Sequence, residues 1–242
     1  MQGVRGHDKT PGEFRRSQNW IGPRGSTPET APYVPPPVEE MRDCLGNWEL
    51  FLHKHGEMPD LIQCAVMHQQ FEAIHPFLDG NGRVGRLLIT LFLIERNRLT
   101  QPLLYLSVFI EANRQDYYDL LQRVRTHGDW LSWLKWFLHG VEVTARDAAA
   151  RAEKLMAMRE EYRVRLAHKA TSTRLLDKLF INPYVSLRRA RQVLDCTSPT
   201  ALKAIAELER KGIVHEITGG ARNRLHVASE ILNVLQAPIA SA

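Results

Sequence analysis

The chain has 242 residues and 27.7 kDa, with 44% hydrophobic and 24% charged residues, 15 Gly and 13 Pro, the balance of an ordinary globular protein. Disorder and fibrous repeats are excluded as starting points, and the length suits one medium and one small domain, each able to bury a core. The 32 Lys and Arg against 27 Asp and Glu give a net charge of +5 and a pI near 9.2, an excess that suits polyanions without requiring them.

The longest apolar run, Leu87 to Ile94 with one Thr inside it, is less than half of the roughly 20 residues that a bilayer-crossing helix needs. The polar N-terminus lacks a signal-peptide core, so a soluble cytoplasmic protein with no membrane partner is expected. Cys44, Cys64 and Cys196 are odd in number and far apart, which gives neither a disulfide framework nor a clustered zinc site.

From Met1 to Pro37 there is no helical period. Two short extended pieces, Ser17 to Ile21 and Ala31 to Val34, flank Gly22-Pro23 and Gly25-Ser26 and read as an irregular hairpin, ended by Pro35-Pro36-Pro37. Val38 to His53 carries Met41, Leu45, Trp48 and Leu52 at helical spacing, and Leu61 to Ile74 repeats the pattern. Arg83 to Asn97 is nearly all apolar from Leu87 onward, as a helix buried inside a bundle would be. Gln115 to Arg125 and Asp129 to Leu138 make two more helices, with Trp130, Trp133, Trp136 and Phe137 as core. A long connecting helix over Glu142 to Lys169 follows Gly140.

The last third has its own pattern. Thr173 to Phe180 and Leu187 to Leu194, the latter behind Ser186, predict helices, and Pro199 stands at the first turn of Ala201 to Lys211, closed by Gly212. Ile213 to Ile217 alternates, Gly219-Gly220 turns, and Arg224 to Val227 returns. Helices followed by such a hairpin make a winged helix-turn-helix. The expected division is an arm and hairpin over 1–37, a helical core over 38–145, a connecting helix over 146–170 and a winged helix over 171–242.

The densest chemistry lies in His75-Pro76-Phe77-Leu78-Asp79-Gly80-Asn81-Gly82-Arg83-Val84-Gly85-Arg86. Gly80 and Gly82 around Asn81 leave backbone N–H groups free to meet an anion, and the following helix N-terminus adds its positive dipole end. Arg83 and Arg86, three apart, share a helical face and can fork onto further phosphate oxygens. Cations at a helix N-terminus oppose the macrodipole and call for an anion. Asp79 is a hard oxygen ligand suited to Mg²⁺ beside phosphates. His75 can accept a hydroxyl proton at neutral pH while the cradle stabilises charge developing on phosphorus. Gly80 to Gly85 also fits G-x-G-x-x-G, but the segments on both sides are helical, so no dinucleotide βαβ unit is present.

This run resembles the signature of the Fic family, H-P-F-x-D-G-N-G-R-x-x-R, at every specified position. The resemblance covers roughly Phe14 to Val143, and extends to Val227 for members that carry an appended winged helix. It implies a mainly α fold, a Fic-type helical bundle with a β-hairpin flap, and an Mg²⁺-dependent protein adenylyltransferase. AMP would pass from ATP to a Ser, Thr or Tyr hydroxyl of a protein target, the chain itself included, with release of pyrophosphate. His75 is then similar to the family base and Asp79 to the metal ligand. Phe77, Gly80, Asn81, Gly82, Arg83 and Arg86 fall with the nucleotide-binding residues, Asn81 towards the α-phosphate and Arg86 towards the γ-phosphate. Tyr117, Tyr118 and Leu121 match the adenine-side helix, and Ile21 the apolar contact of the flap. Doc-type members that transfer a phosphoryl group depart from the second glycine and final arginine kept here.

Many family members restrain themselves with an inhibitory helix, [S/T]-x-x-x-E-[G/N], and no such element occurs in this sequence. Its upstream form precedes the flap, where this chain begins, so an unrestrained enzyme is the expectation. Two other readings stand beside this one. His68, His75 and Asp79 could ligate the metal of a phosphohydrolase, which leaves both arginines unexplained. The winged helix, with Arg188, Arg189, Arg191, Lys203, Arg210, Lys211, Arg222 and Arg224 outnumbering its acids, could serve a DNA-binding regulator. A homodimer, and removal of AMP or transfer of another phosphate-linked group, are further options.

Overall fold

The computed structural model describes residues 12–23, 25–101, 104–167, 169–220 and 223–238; Arg222, one of the basic residues named above, lies outside them. The chain divides into two compact units, Met1–Ala145 and Arg146–Ala242.

The first unit is built around one helix. α1 (Val38–Leu52) starts directly after the proline run and carries Glu39 and Glu40 in its first turn, where negative charge suits the helix dipole. α2 (Asp60–Ile74) is buried on most of its circumference, with Cys64, Ala65, Met67, His68, Phe71 and Glu72 all withdrawn from solvent. A helix buried all round must be packed from several sides, and α2 is: Trp48 of α1 donates its indole N–H to the Met67 carbonyl at 2.9 Å, and Trp133 does the same to Ala65 at 3.0 Å. α3 (Asn81–Glu95) packs Ile89, Phe92 and Leu93 into the same core, joined by Tyr117, Leu121 and Val124 of α5 (Arg114–His127).

Two expectations are corrected here. α4 (Leu106–Ala112) has no counterpart in the sequence reading. The helices expected over Asp129 to Leu138 and Glu142 to Lys169 are one continuous α6 (Trp130–Arg165), with no break at Gly140. Glycine inside a helix costs about 1 kcal/mol against alanine, but a Cβ at Gly140 would lie 2.5 Å from Phe109 Cδ1. The glycine is there so that α4 can lie against α6.

The expected hairpin is a single rung: Ile21 and Tyr33 exchange both backbone hydrogen bonds, at 2.9 and 3.3 Å, in an isolated antiparallel bridge. The chain around it is irregular.

The second unit gathers the C-terminal part of α6, through Tyr162, and Leu166 just beyond it, with α7 (Ala170–Leu179), β1 (Tyr184–Ser186), α8 (Leu187–Leu194), α9 (Ser198–Arg210), β2 (His215–Glu216), β3 (Leu225–Val227) and α10 (Ser229–Gln236). Ser186 caps α8 by accepting from Arg189 N–H at 3.3 Å. Pro199 stands in the first turn of α9, where its missing N–H has no consequence. The antiparallel sheet has the order β1-β3-β2; β1 and α10 are absent from the sequence reading, which places only the β2–β3 hairpin. The ten helices and three short strands among the described residues make the fold mainly α.

Candidate active site

His75 ends α2. It adopts φ 50° and ψ 59°, the left-handed region that non-glycine residues seldom enter. Its Nδ1 lies 3.4 Å from the Glu72 carbonyl, so the tautomer with Nδ1–H donating leaves Nε2 with a free lone pair. Burial pushes the imidazole pKa down to about 4, and the positive charges of Arg125 and Arg15 act in the same direction. At neutral pH the ring is uncharged, the form a proton acceptor needs.

The loop after His75 is closed by Asn81. Its Oδ1 accepts from Phe77 N–H at 2.9 Å and its Nδ2 donates to Phe77 O at 2.7 Å, while Asn19 Nδ2 reaches the same carbonyl at 3.1 Å. The Asn81 carboxamide, expected to face a phosphate, thus spends most of its capacity on the loop. Gly80 makes the turn into α3 at φ 88°, a conformation glycine adopts without strain. No side chain caps α3, and the N–H groups of its first turn are therefore open to an anion.

The arginines separate into two roles. Arg83 lies 3.4 Å from the Asp79 carboxylate, both half-exposed. Arg86 turns inward: its Nη1 lies 3.2 Å from the point a Cβ on Gly82 would occupy, and Glu72 Oε1 lies 3.8 Å from the same point. Glu72 is 6% exposed, and its Oε1 has no hydrogen-bond partner among the described residues. Burial raises its carboxyl pKa to about 7 against the pull of Arg86 and Arg125. At Gly85 a Cβ would come within 2.6 Å of this oxygen, so only glycine lets α3 approach α2 so closely.

Glu72, Arg125, Tyr33 and Arg15 are site residues that sequence reasoning missed. Arg125 Nη2 donates to the Glu72 carbonyl at 3.4 Å, and its guanidinium lies 3.8 Å from the Tyr33 ring centre. Tyr33 in turn donates its hydroxyl to Ala73 O at 2.7 Å, which fastens the chain at the Ile21–Tyr33 bridge to α2. For Glu72 a signal existed: it lies next to Phe71, four residues after His68 and three before His75, the spacing that puts an acid on the same helical face as two histidines. For Arg15 and Arg125 there was none.

His75, Phe77, Asp79, Gly80, Asn81, Gly82, Arg83 and Arg86 thus lie on one loop and the first turns of one helix, and Ile21 holds its place through the bridge to Tyr33. The adenine-side set is split. Tyr117 and Leu121 are each 2% exposed in the core, with the Tyr117 hydroxyl 2.9 Å from His68 Nε2. Tyr118 is exposed, with Arg114 over its ring at 5.6 Å. The metal set of a phosphohydrolase is not assembled: His68 is fully buried, burial pushes its pKa down to about 4, and no group of three metal-ligating side chains occurs among the described residues.

Residues 1–93 match the Fic/DOC family. Over that stretch, the chain is similar to Fic family proteins. It is similar to the protein adenylyltransferase Fic of Aedes aegypti, 35% identical over 121 residues, which are 49% of this chain and 21% of that protein. A probable protein adenylyltransferase of Aquifex aeolicus is 34% identical over 88 residues, 35% of this chain and 27% of the relative. The chain thus spans about a quarter or less of the curated Fic relatives named here. A crystal structure of a Fic family protein from Desulfovibrio desulfuricans G20 superposes with a TM-score of 0.54 at 18% identity, covering 89% of this chain and 62% of that one, which supports the Fic-type helical fold.

Proposed function

We propose that the chain is an Mg²⁺-dependent protein adenylyltransferase that moves AMP from ATP to a Ser, Thr or Tyr hydroxyl of a protein target. The observation that carries this reading is a half-buried, uncharged His75 poised at the entrance of an uncapped helix N-terminus flanked by Arg83 and Arg86. Relatives named protein adenylyltransferase support it. In the reaction, His75 Nε2 takes the proton of the target hydroxyl. The hydroxyl oxygen forms a bond to the α-phosphorus, the bond to the bridging oxygen breaks, and pyrophosphate leaves. The first-turn N–H groups of α3 stabilise the charge that builds on the α-phosphate oxygens. Arg83 and Arg86 bind the phosphates beyond it and fix which phosphorus faces the hydroxyl. Asp79, a half-exposed carboxylate whose neighbour is one arginine, fits a cation that keeps several waters and phosphate oxygens better than it fits an all-protein cage. Bound there, Mg²⁺ would neutralise phosphate charge.

The flap around Ile21 and Tyr33 would receive the target as an added extended segment. We read 1–37 as arm and flap, 38–145 as the catalytic core, 146–170 as a connecting helix and 171–242 as a winged helix. Exposed Arg189 and Arg191 on α8 favour an accessory contact with nucleic acid, testable by gel shift at modest salt.

The deciding experiment incubates the protein and His75→Ala with Mg²⁺ and ATP labelled at the α or γ position. Label from the α position only, absent in the variant, is the expected result. Label from the γ position would mean phosphoryl transfer and would overturn the reading.

A further inference from the structure

We infer that Arg15 is a positioning residue for the site: it fixes the backbone of His75 and the root of the flap together, so that a docked target strand and the proton acceptor keep one geometry. The inference rests on the functional reading above, because it assigns Arg15 a role towards that base.

Arg15 is 1% exposed, and each of its guanidinium nitrogens donates to a main-chain carbonyl. Nε reaches His75 O at 3.1 Å, Nη1 reaches Ser17 O at 3.4 Å, and Nη2 donates to Pro36 O. Its own backbone N–H donates to Pro76 O at 2.9 Å. One side chain thus joins three segments: the loop at the end of α2, the irregular chain at Ser17 that leads to the Ile21–Tyr33 bridge, and the proline run that follows it.

A structural tie alone does not call for this residue. A buried cation facing carbonyls loses hydration that they only partly replace, and burial accordingly lowers the Arg15 pKa. What a guanidinium supplies is a planar fork of fixed donors that no other side chain offers. The fork meets His75 where it is needed, because a left-handed residue at a helix end is held only by its surroundings. Other charged groups act on the ring too: Arg125 from α5 and Asp79 from the loop, beside the Glu72 carbonyl that accepts from Nδ1. Arg15 alone among the three charges bonds to the His75 main chain.

The test compares wild type, Arg15→Lys and Arg15→Ala in the full chain. Steady-state kinetics should show kcat down at least about tenfold in Arg15→Ala with KM for ATP within about twofold, since Arg15 touches no phosphate-facing group. Arg15→Lys, which keeps the charge and loses the fork, should fall nearly as far. The second reading is independent of turnover: long-range ¹H–¹⁵N spectra of the His75 ring near pH 7.5 should show the Nδ1–H form in wild type and a mixed or broadened pattern in Arg15→Ala. A folded Arg15→Ala protein with the wild-type nitrogen pattern would overturn the inference, as would full kcat in either variant. If the wild type transfers nothing from ATP, the functional reading fails, and the nitrogen spectra still decide the role of Arg15.

Discussion

Asn81 and Phe77 are joined by two hydrogen bonds that close the loop between α2 and α3, one in each direction, at 2.9 and 2.7 Å. The carboxamide of a residue four positions on replaces the backbone ladder that the loop lacks. Asn81→Ala would leave the Phe77 N–H without its partner and the Phe77 carbonyl with Asn19 alone, which costs about 1–3 kcal/mol. Thermal unfolding should shift down by several degrees, and ATP affinity should fall with it, because the first turn of α3 loses its anchor.

A second expectation concerns acid. The His75 imidazole is held near pKa 4 in the folded protein, against 6.5 for a free ring, so it stays unprotonated as pH falls from neutrality. The rate of AMP transfer in single-turnover experiments should not decline between pH 7 and about 5.5. A decline centred near 6.5 would mean that the ring is hydrated and not buried.

Glu72 works in the opposite sense on stability. Its folded pKa of about 7 lies above the ordinary carboxyl value, so the folded state holds a proton that the unfolded chain has released. Between about pH 4.5 and 7 Glu72 contributes a loss of stability as pH rises, of up to about 3 kcal/mol, against the gain that the neutral His68 and His75 contribute over the same range, so Glu72→Gln should gain more stability with rising pH than the wild type does. Urea unfolding of the two proteins at pH 5 and pH 7.5 measures the difference directly.

Gly140 supplies a packing test. In Gly140→Ala the new methyl would meet the Phe109 ring at 2.5 Å, so helix propensity would improve and the protein would still be destabilised, by about 1–3 kcal/mol. A gain in melting temperature would show that α4 does not press on α6.

The signature loop was legible because its residues are contiguous and chemically unlike their flanks: three glycines, two arginines, an acid and a histidine between apolar helices. The helices α1, α2, α3 and α5 announce themselves through spacing. What the sequence hid was tertiary. Gly140 reads as a helix stop until Phe109 is seen against it. Tyr117 reads as a ligand-facing ring until its hydroxyl is seen on His68. Arg15 and Arg125 carry no mark in the sequence, since nothing local says that one will be enclosed by carbonyls and the other laid over Tyr33.

The backbone of His75 decides which inactive control is a fair one. A left-handed residue is strained unless it is glycine, or to a lesser degree asparagine. His75→Gly would remove the base and the strain together, and with them the burial of an ionisable ring, so that protein should melt higher than the wild type. His75→Ala keeps the left-handed penalty and removes only the imidazole. Position 75 is therefore one where endurance and the proposed activity oppose each other, and a screen for thermal robustness alone would select against the residue proposed as the base.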